Sequence, residues 1–220
     1  MTEKRTTIVT ISRQMASGGA YIAHLLARQL GYKYVEREVL HEAARELGVD
    51  ISDISKLDEH RTGFVESLMK SFVFGTPEAS YVPPSRRPVY DQELFETELK
   101  IITTIAEKYN AVIVGRGGYF MLRGRPNVVN VFIHAPMDFR VERLRTFHEI
   151  SAEQAREEIE ESDRQREKFL RTMTDTDRYD ARNYHLCIDS AAAGFEAAQQ
   201  MIVSLVERIQ SRSGEQRIRS

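Results

Sequence analysis

The chain has 220 residues, 41% hydrophobic and 29% charged, with 31 Lys and Arg against 33 Asp and Glu. A chain this apolar and this close to neutral is not intrinsically disordered, and it lacks the basic excess of a general nucleic-acid coat. One cysteine, Cys187, excludes a disulfide framework and fits a reducing compartment, and the length fits a single domain over residues 1–220.

Met1–Thr7 is polar and charged, and the apolar run Ile8–Ile11 is too short for a signal core. The most apolar stretches, Ala111–Val114 and Val128–Ile133, fall far short of the roughly 20 residues that span a bilayer. A soluble, cytoplasmic protein without membrane contact is expected.

Thr6–Ser12 is rich in β-branched residues and predicts a buried strand. Gln14–Gly19 is a turn of small residues. Ile22, Leu25, Leu26 and Leu30 then share one helical face, and Gly31 stands where a C-cap belongs. Tyr32–Val35 predicts a short strand and Glu38–Leu47 a helix. Leu57–Phe74 has helical character, and its segment Ser67–Phe74 carries apolar residues able to join two copies in a homodimer. Gly75–Pro88 holds four of the six prolines and the pair Arg86 and Arg87, which makes it a long loop.

Asp91–Lys108 predicts a helix with Leu94, Leu99, Ile102 and Ile105 as apolar members. Ala111–Gly115 is a buried strand, Gly117–Leu122 a helical turn and Val128–His134 another buried strand. Pro136 opens a helix to about Phe147. Ser151–Leu170 is a long charged helix whose Ser151 and Gln154 form a capping-box pattern. Tyr184–Ile188 is the last strand, with Cys187 as inert packing. Ala191–Ile209 is the closing helix, and residues 211–220 are a polar tail. Short apolar strands alternating with helices predict an α/β fold: a parallel sheet of about five strands, helices on both faces, and ligands at the carboxyl ends of the strands.

Four groups of residues lie at those ends. The turn from Arg13 to Ala20 joins the first strand to the first helix, and its two glycines let backbone N–H groups approach a phosphate. Against the phosphate-loop pattern G-x-x-x-x-G-K-[ST], Arg13 replaces the first glycine, Gly19 the lysine and Ala20 the hydroxyl residue. Arg13 can supply the missing positive charge; a tight strand–helix turn with no ligand explains the same residues. Gly115-Arg116-Gly117-Gly118 follows a buried strand, where Arg116 either grips a phosphate or carboxylate in two-pronged fashion or ties two loops together through an acid. The basic run Arg156, Arg164, Arg166, Lys168 and Arg171, with Asp163 among it, is a set of arginines that close over a transferring group or a solvated helix face. Glu36, Arg37 and Glu38 follow the second strand, where either Glu36 binds a ribose or base edge or the acids serve as helix-start charge. The six histidines show no metal-ligand spacing.

The segments VTISRQMASGG, VIVGRGG, VFIHAPMDFRVERL, DRQR and NYHLCID, in this order between about Thr7 and about Val206, resemble the cytidylate kinase-like proteins, P-loop nucleoside monophosphate kinase relatives. The resemblance implies a three-layer P-loop fold, ATP with Mg²⁺ as phosphate donor and a nucleoside monophosphate such as CMP as acceptor. It implies ATP on Gln14, Met15, Ala16, Ser17, Gly18, Gly19, Ala20 and Tyr21, with Arg13, Arg164 and Arg166 acting on the transferred phosphate. It implies an acceptor held by Glu36, Arg37, Arg116 and Asp163, and no protein ligand to a metal. Residues of about 50–95 correspond to an acceptor-side insertion and those of about 150–178 to a lid. The chain departs from the family pattern at Ala16 and Ala20, where glycine and arginine are usual, at Val114, where the kinases proper have Asp, and at Glu36, where Asp is usual. A catalytically impaired nucleotide-binding module is the alternative.

Overall fold

The computed structural model describes residues 6–36 and 92–218. Arg37 and the segments Glu38–Leu47, Leu57–Phe74 and Gly75–Pro88 lie outside the described residues. Five parallel strands form one sheet: β1 (Ile8–Arg13), β2 (Lys33–Val35), β3 (Ala111–Val114), β4 (Val128–His134) and β5 (Leu186–Asp189), in the order β2-β3-β1-β4-β5. The order places β1 in the centre, with Ile8 in register with Ala111 on one side and Val128 on the other. A central parallel strand is covered on both faces, which is why every residue from Ile8 to Ser12 is buried, the polar Thr10 and Ser12 included.

One face, formed by Val9, Ile11, Val112, Val114, Val129, Val131, Ile133 and Ile188, packs against α1 (Gly19–Leu30) and α7 (Phe195–Ile218). Ile22 and Leu26 of α1 and Ile202 and Val206 of α7 are fully buried there. On the opposite face Ile8, Val35, Ala111, Ile113 and Val128 meet Ile101, Ile102 and Ile105 of α2 (Gln92–Lys108) and Leu122, just beyond α3 (Gly118–Met121). Those helices and the sheet make three layers. A third apolar group joins Met15 and Ala16 of the first turn to Val141 and Leu144 of α4 (Met137–His148) and to Ala155 and Ile159 of α5 (Ala152–Thr174). This small core seats a long charged helix beside the end of β1.

Local signals account for the helix ends. Gly31, at φ 66°, donates its amide to the carbonyls of Ala27 and Arg28 and ends α1. Ser151 and Gln154 form the full reciprocal capping box of α5. Three expectations are corrected. The closing helix breaks at Gly194, giving α6 (Ser190–Ala193) and then α7, which continues to Ile218 through the expected polar tail. Polar composition does not end the helix there, because Glu, Gln and Arg are good helix formers. Cys187 is exposed, not packed: β5 pairs only with β4 and lies at the sheet edge. In α2, the buried stripe includes the charged Glu98 together with Phe95, Ile102 and Ile105, whereas Leu99 is only half-buried.

Candidate functional site

The turn after β1 is held on all sides by other elements. Gln14 donates its amide to the carbonyl of Ile133, and its side-chain oxygen accepts the Ala135 amide. The Ser17 hydroxyl donates to the Gln14 carbonyl, and Ser190 donates to the Ser17 carbonyl at 2.5 Å. Ala16 adopts φ 59° and Gly18 φ 80°, left-handed conformations that fold the chain back into α1. Gly18 caps α1 without any side-chain acceptor, and the first turn of α1 contains no acid. The leading N–H groups of a helix capped in this way present a positive dipole end.

Arg13 and Gly19 are one packing solution. A side chain at Gly19 would begin 2.5 Å from the Arg13 Cβ and 3.3 Å from the Ile133 Cβ. The Arg13 stem therefore fills the space in which a phosphate-loop lysine would start. Its guanidinium lies over Gly115, where a Cβ would collide with it, and donates to Glu36 at 2.7 Å. Glu36 in turn accepts from the Tyr34 hydroxyl at 2.6 Å. Arg13 and Glu36, placed in the site from sequence on opposite sides of donor and acceptor, thus form one pair at the sheet edge. A side chain at Gly18 would collide with the ring of Phe195, so the α-carbon side of the turn is packed.

Asp163 is buried and binds the turn directly. Its carboxylate accepts the Met15 amide at 2.9 Å and the Arg140 guanidinium at 2.7 Å, and Arg140 also donates to the Met15 carbonyl. Arg166, one helical turn on, lies 3.6 Å from Asp163 and 3.8 Å from the Met15 sulfur. Arg164 points the other way: it is exposed and paired with Glu161 at 2.8 Å and Glu160 at 4.0 Å. The hydrogen bond from Arg164 holds the Glu161 carboxyl below its ordinary pKa. Of the two lid arginines singled out from sequence, the fold brings Arg166 to the turn and leaves Arg164 on the outer face of α5.

The second glycine turn is strongly bent, with φ 74° at Gly115, 55° at Arg116 and 68° at Gly117. Arg116 makes a two-pronged ion pair with Glu98 of α2, whose side chain is only 6% exposed. The guanidinium also stacks 5.1 Å from the Phe169 ring of α5, and Phe169 packs edge-on against Phe95. Arg116 therefore joins α2, α5 and the turn after β3. Sequence reasoning raised an acidic tie for Arg116 but missed Glu98, whose signal is a charged residue standing on the apolar stripe of α2.

Residues beyond α5 complete the rim. Arg178 is buried and donates to the carbonyl of Arg13 at 2.6 Å; sequence reasoning did not single it out. It lies 5.9 Å over the Phe132 ring and 5.2 Å over that of Tyr179. Tyr184 donates to the Arg178 carbonyl at 2.7 Å, and Tyr119 shares a hydrogen bond with Thr176. Burial, the largest cause, lifts the phenols of Tyr119, Tyr179 and Tyr184 above their ordinary pKa, against hydrogen bonds from Thr176, Gln14 and Ser12 respectively that lower it.

Comparison with known proteins bears on what such an edge does. The model of the cytidylate kinase-like family matches residues 8–192. A cytidylate kinase of Methanopyrus kandleri is 23% identical over 195 residues, 84% of this chain and 86% of the relative. A cytidylate kinase of Methanocaldococcus jannaschii is 22% identical over 205 residues, 92% of this chain and 98% of the relative. An uncharacterised protein from Eubacterium ventriosum has a similar fold, with a TM-score of 0.68 at 20% identity over 92% of this chain and 99% of that one.

Proposed function

Because the chain belongs to the cytidylate kinase-like family, we propose that it is a phosphotransferase that moves the γ-phosphate of ATP to a nucleoside monophosphate such as CMP. The observation that carries this reading is the N-terminus of α1. It follows the central strand at the carboxyl edge, is capped by Gly18 without a side-chain acceptor, and has no acid in its first turn. Such an end binds a phosphate through backbone N–H groups and the helix dipole.

In this reading the donor phosphates rest on Gln14–Tyr21, with Arg13 and Arg166 the nearest cations of the original set. The acceptor lies toward Arg116, Glu36 and Arg37. Residues of about 50–95 shape the acceptor side, and α5, tied to the turn through Asp163, is the core of the lid. An acceptor-phosphate oxygen attacks the γ-phosphorus while the bond to the β-phosphate oxygen breaks and ADP leaves. No covalent bond to the protein is required, so the protein contributes positioning and charge neutralisation. The described residues do not fit a protein-held Mg²⁺: Ala20 has no hydroxyl, Val114 no carboxylate, and Glu36 and Asp163 are already bound to arginines. Among the described residues no group of three His, Cys, Asp or Glu is arranged to hold a metal. Among the described residues no helix is long and apolar enough to cross a membrane.

A coupled ADP-release assay across nucleoside monophosphates tests the proposal, with turnover expected for CMP. A second reading, a nucleotide-binding module impaired in catalysis, is favoured by the carboxylates that already occupy Arg13 and Arg116. Calorimetric binding of ATP that is independent of Mg²⁺, with no turnover on any acceptor, would establish the module instead.

A further inference from the structure

The arginines of this edge fall into two kinds. Arg13, Arg116 and Arg140 each face a carboxylate, from Glu36, Glu98 and Asp163, and Arg166 lies beside Asp163. Arg178 differs. It is 2% exposed, and its single polar contact among the described residues is from Nη2 to the Arg13 carbonyl. Its Nε and Nη1 are buried and have no hydrogen-bond partner among the described residues. The neighbouring Asp177 carboxylate accepts the Tyr179 amide instead. The phenols of Tyr119, Tyr179 and Tyr184 stand close enough to sense the charge, and burial keeps all three in the neutral form. None of them is a counter-ion.

A guanidinium is always charged, and burying it without an anion is strongly unfavourable unless a partner arrives. The position of Arg178 indicates the partner. Its anchor is the last carbonyl of β1, the atom from which the Arg13–Ala20 turn starts. The uncapped N–H groups of α1 are the other donors of that turn. We propose that Arg178 is the anion-binding cation of the site, an unpaired donor and the second N–H of Nη2 taking oxygens of a phosphate group delivered to the turn and supplying the charge that Gly19 does not. Either unpaired nitrogen, Nε or Nη1, forms with the second N–H of Nη2 the planar fork that matches two phosphate oxygens. Tyr179, 42% exposed and stacked on the guanidinium, is the cover that turns aside to admit the anion. The identification of the anion as phosphate rests on the phosphotransferase reading. The phosphate belongs either to the donor or to the acceptor.

Calorimetry and thermal unfolding with sodium tripolyphosphate and with CMP, each added alone, separate these possibilities. The wild-type chain binds at least one of them and melts at a higher temperature in its presence. Arg178→Gln binds that ligand at least tenfold more weakly, while its ligand-free melting temperature is unchanged or raised, because a buried unpaired charge has been removed. Loss confined to tripolyphosphate assigns Arg178 to the donor; loss confined to CMP assigns it to the acceptor. Wild-type affinity of Arg178→Gln for both ligands overturns the inference and leaves the phosphotransferase reading standing. A wild-type chain that binds neither ligand overturns that reading and the inference with it. Should the Gln variant not fold, Arg178→Lys decides. It keeps the charge but loses the two-pronged contact, so severalfold weaker binding is expected, and wild-type affinity for both ligands overturns the inference.

Discussion

Replacing Asp163 by Ala tests the claim that the turn after β1 is held in shape by a buried charge network. In the native chain this carboxylate accepts the Met15 amide and pairs with Arg140, whose side chain is 6% exposed. The substitution strands the Arg140 charge in the interior, and the Nε of Arg140 already has no partner among the described residues. Removing one member of a buried pair typically costs about 3–5 kcal/mol. For a chain of this size each kcal/mol lowers the melting temperature by about 2–4 °C, so Asp163→Ala is expected to lower it by about 6–20 °C. Asp163→Asn retains an oxygen for the Met15 amide and should lose less. The decisive measurement is a double-mutant cycle with Arg140→Met, read by urea unfolding. If the two groups stabilise each other, Asp163→Ala costs markedly less in the Arg140→Met background, with a coupling of about 1–3 kcal/mol. A single-variant loss below about 1 kcal/mol, well under the buried-pair range, would refute the reasoning, as would additivity within about 0.5 kcal/mol.

Restoring the lysine alone, Gly19→Lys, forces a side chain into the space of the Arg13 stem and should cost about 1–3 kcal/mol in chemical denaturation. Combining it with Arg13→Gly should recover much of that loss, and a neutral single variant would contradict the packing described for this pair. The phenols of Tyr119, Tyr179 and Tyr184 make stability fall in alkali. Their folded-state pKa values lie above the ordinary 10.0, so their contribution is complete below pH 10.0 and is lost as pH rises through the folded values. Melting temperatures followed across that range should fall less steeply for Tyr184→Phe than for the wild type; parallel profiles would show that Tyr184 is not responsible. Cys187 is exposed, but partial burial raises its thiol above the ordinary 9.0. Iodoacetamide should therefore label one thiol per chain slowly at neutral pH and faster above pH 9.0, and rapid neutral labelling would refute the raised thiol.

The layered fold was legible because its strands are short apolar runs separated by helical stripes and glycine stops. Ile8–Arg13, Ala111–Val114 and Val128–His134 lie in the sheet where β-branched density places them. The capping box at Ser151 was equally plain, since both of its hydrogen bonds are made within four consecutive residues. For the candidate site, the place of Arg13 and Arg116 at the carboxyl ends of their strands was legible and their ion pairs were not. Nothing local in Arg116 specifies Glu98, 18 residues earlier, and nothing in Arg13 specifies Glu36, 23 residues later. Arg164 and Arg166 are indistinguishable in a charge run, but they sit on different faces of α5, and only the position of the small core around Ala155 and Ile159 decides which one meets the turn. Arg178 gave no pattern at all, because what sets it apart is that no carboxylate among the described residues pairs with it in three dimensions.

Net charge also reads differently once the pairs are known. The total of -2 carries no basic excess, and at this edge most arginines stand beside carboxylates: Arg13 by Glu36, Arg116 by Glu98, and Arg140 and Arg166 by Asp163. A phosphate approaching Arg13 must share it with Glu36, and one approaching Arg116 must displace the buried carboxylate of Glu98. Displacing Glu98 leaves a charge in the interior and is the costlier of the two, because that side chain is 6% exposed whereas Glu36 is 20% exposed. Arg13 is therefore the more available of the pair, and Arg178 more available still, since an anion that reaches it competes with no carboxylate among the described residues. Under the proposed phosphotransferase reading, this ranking places the first phosphate contact on the β1 side of the edge, at the turn that opens α1. It leaves Arg116 to be freed only if α2 and its Glu98 move.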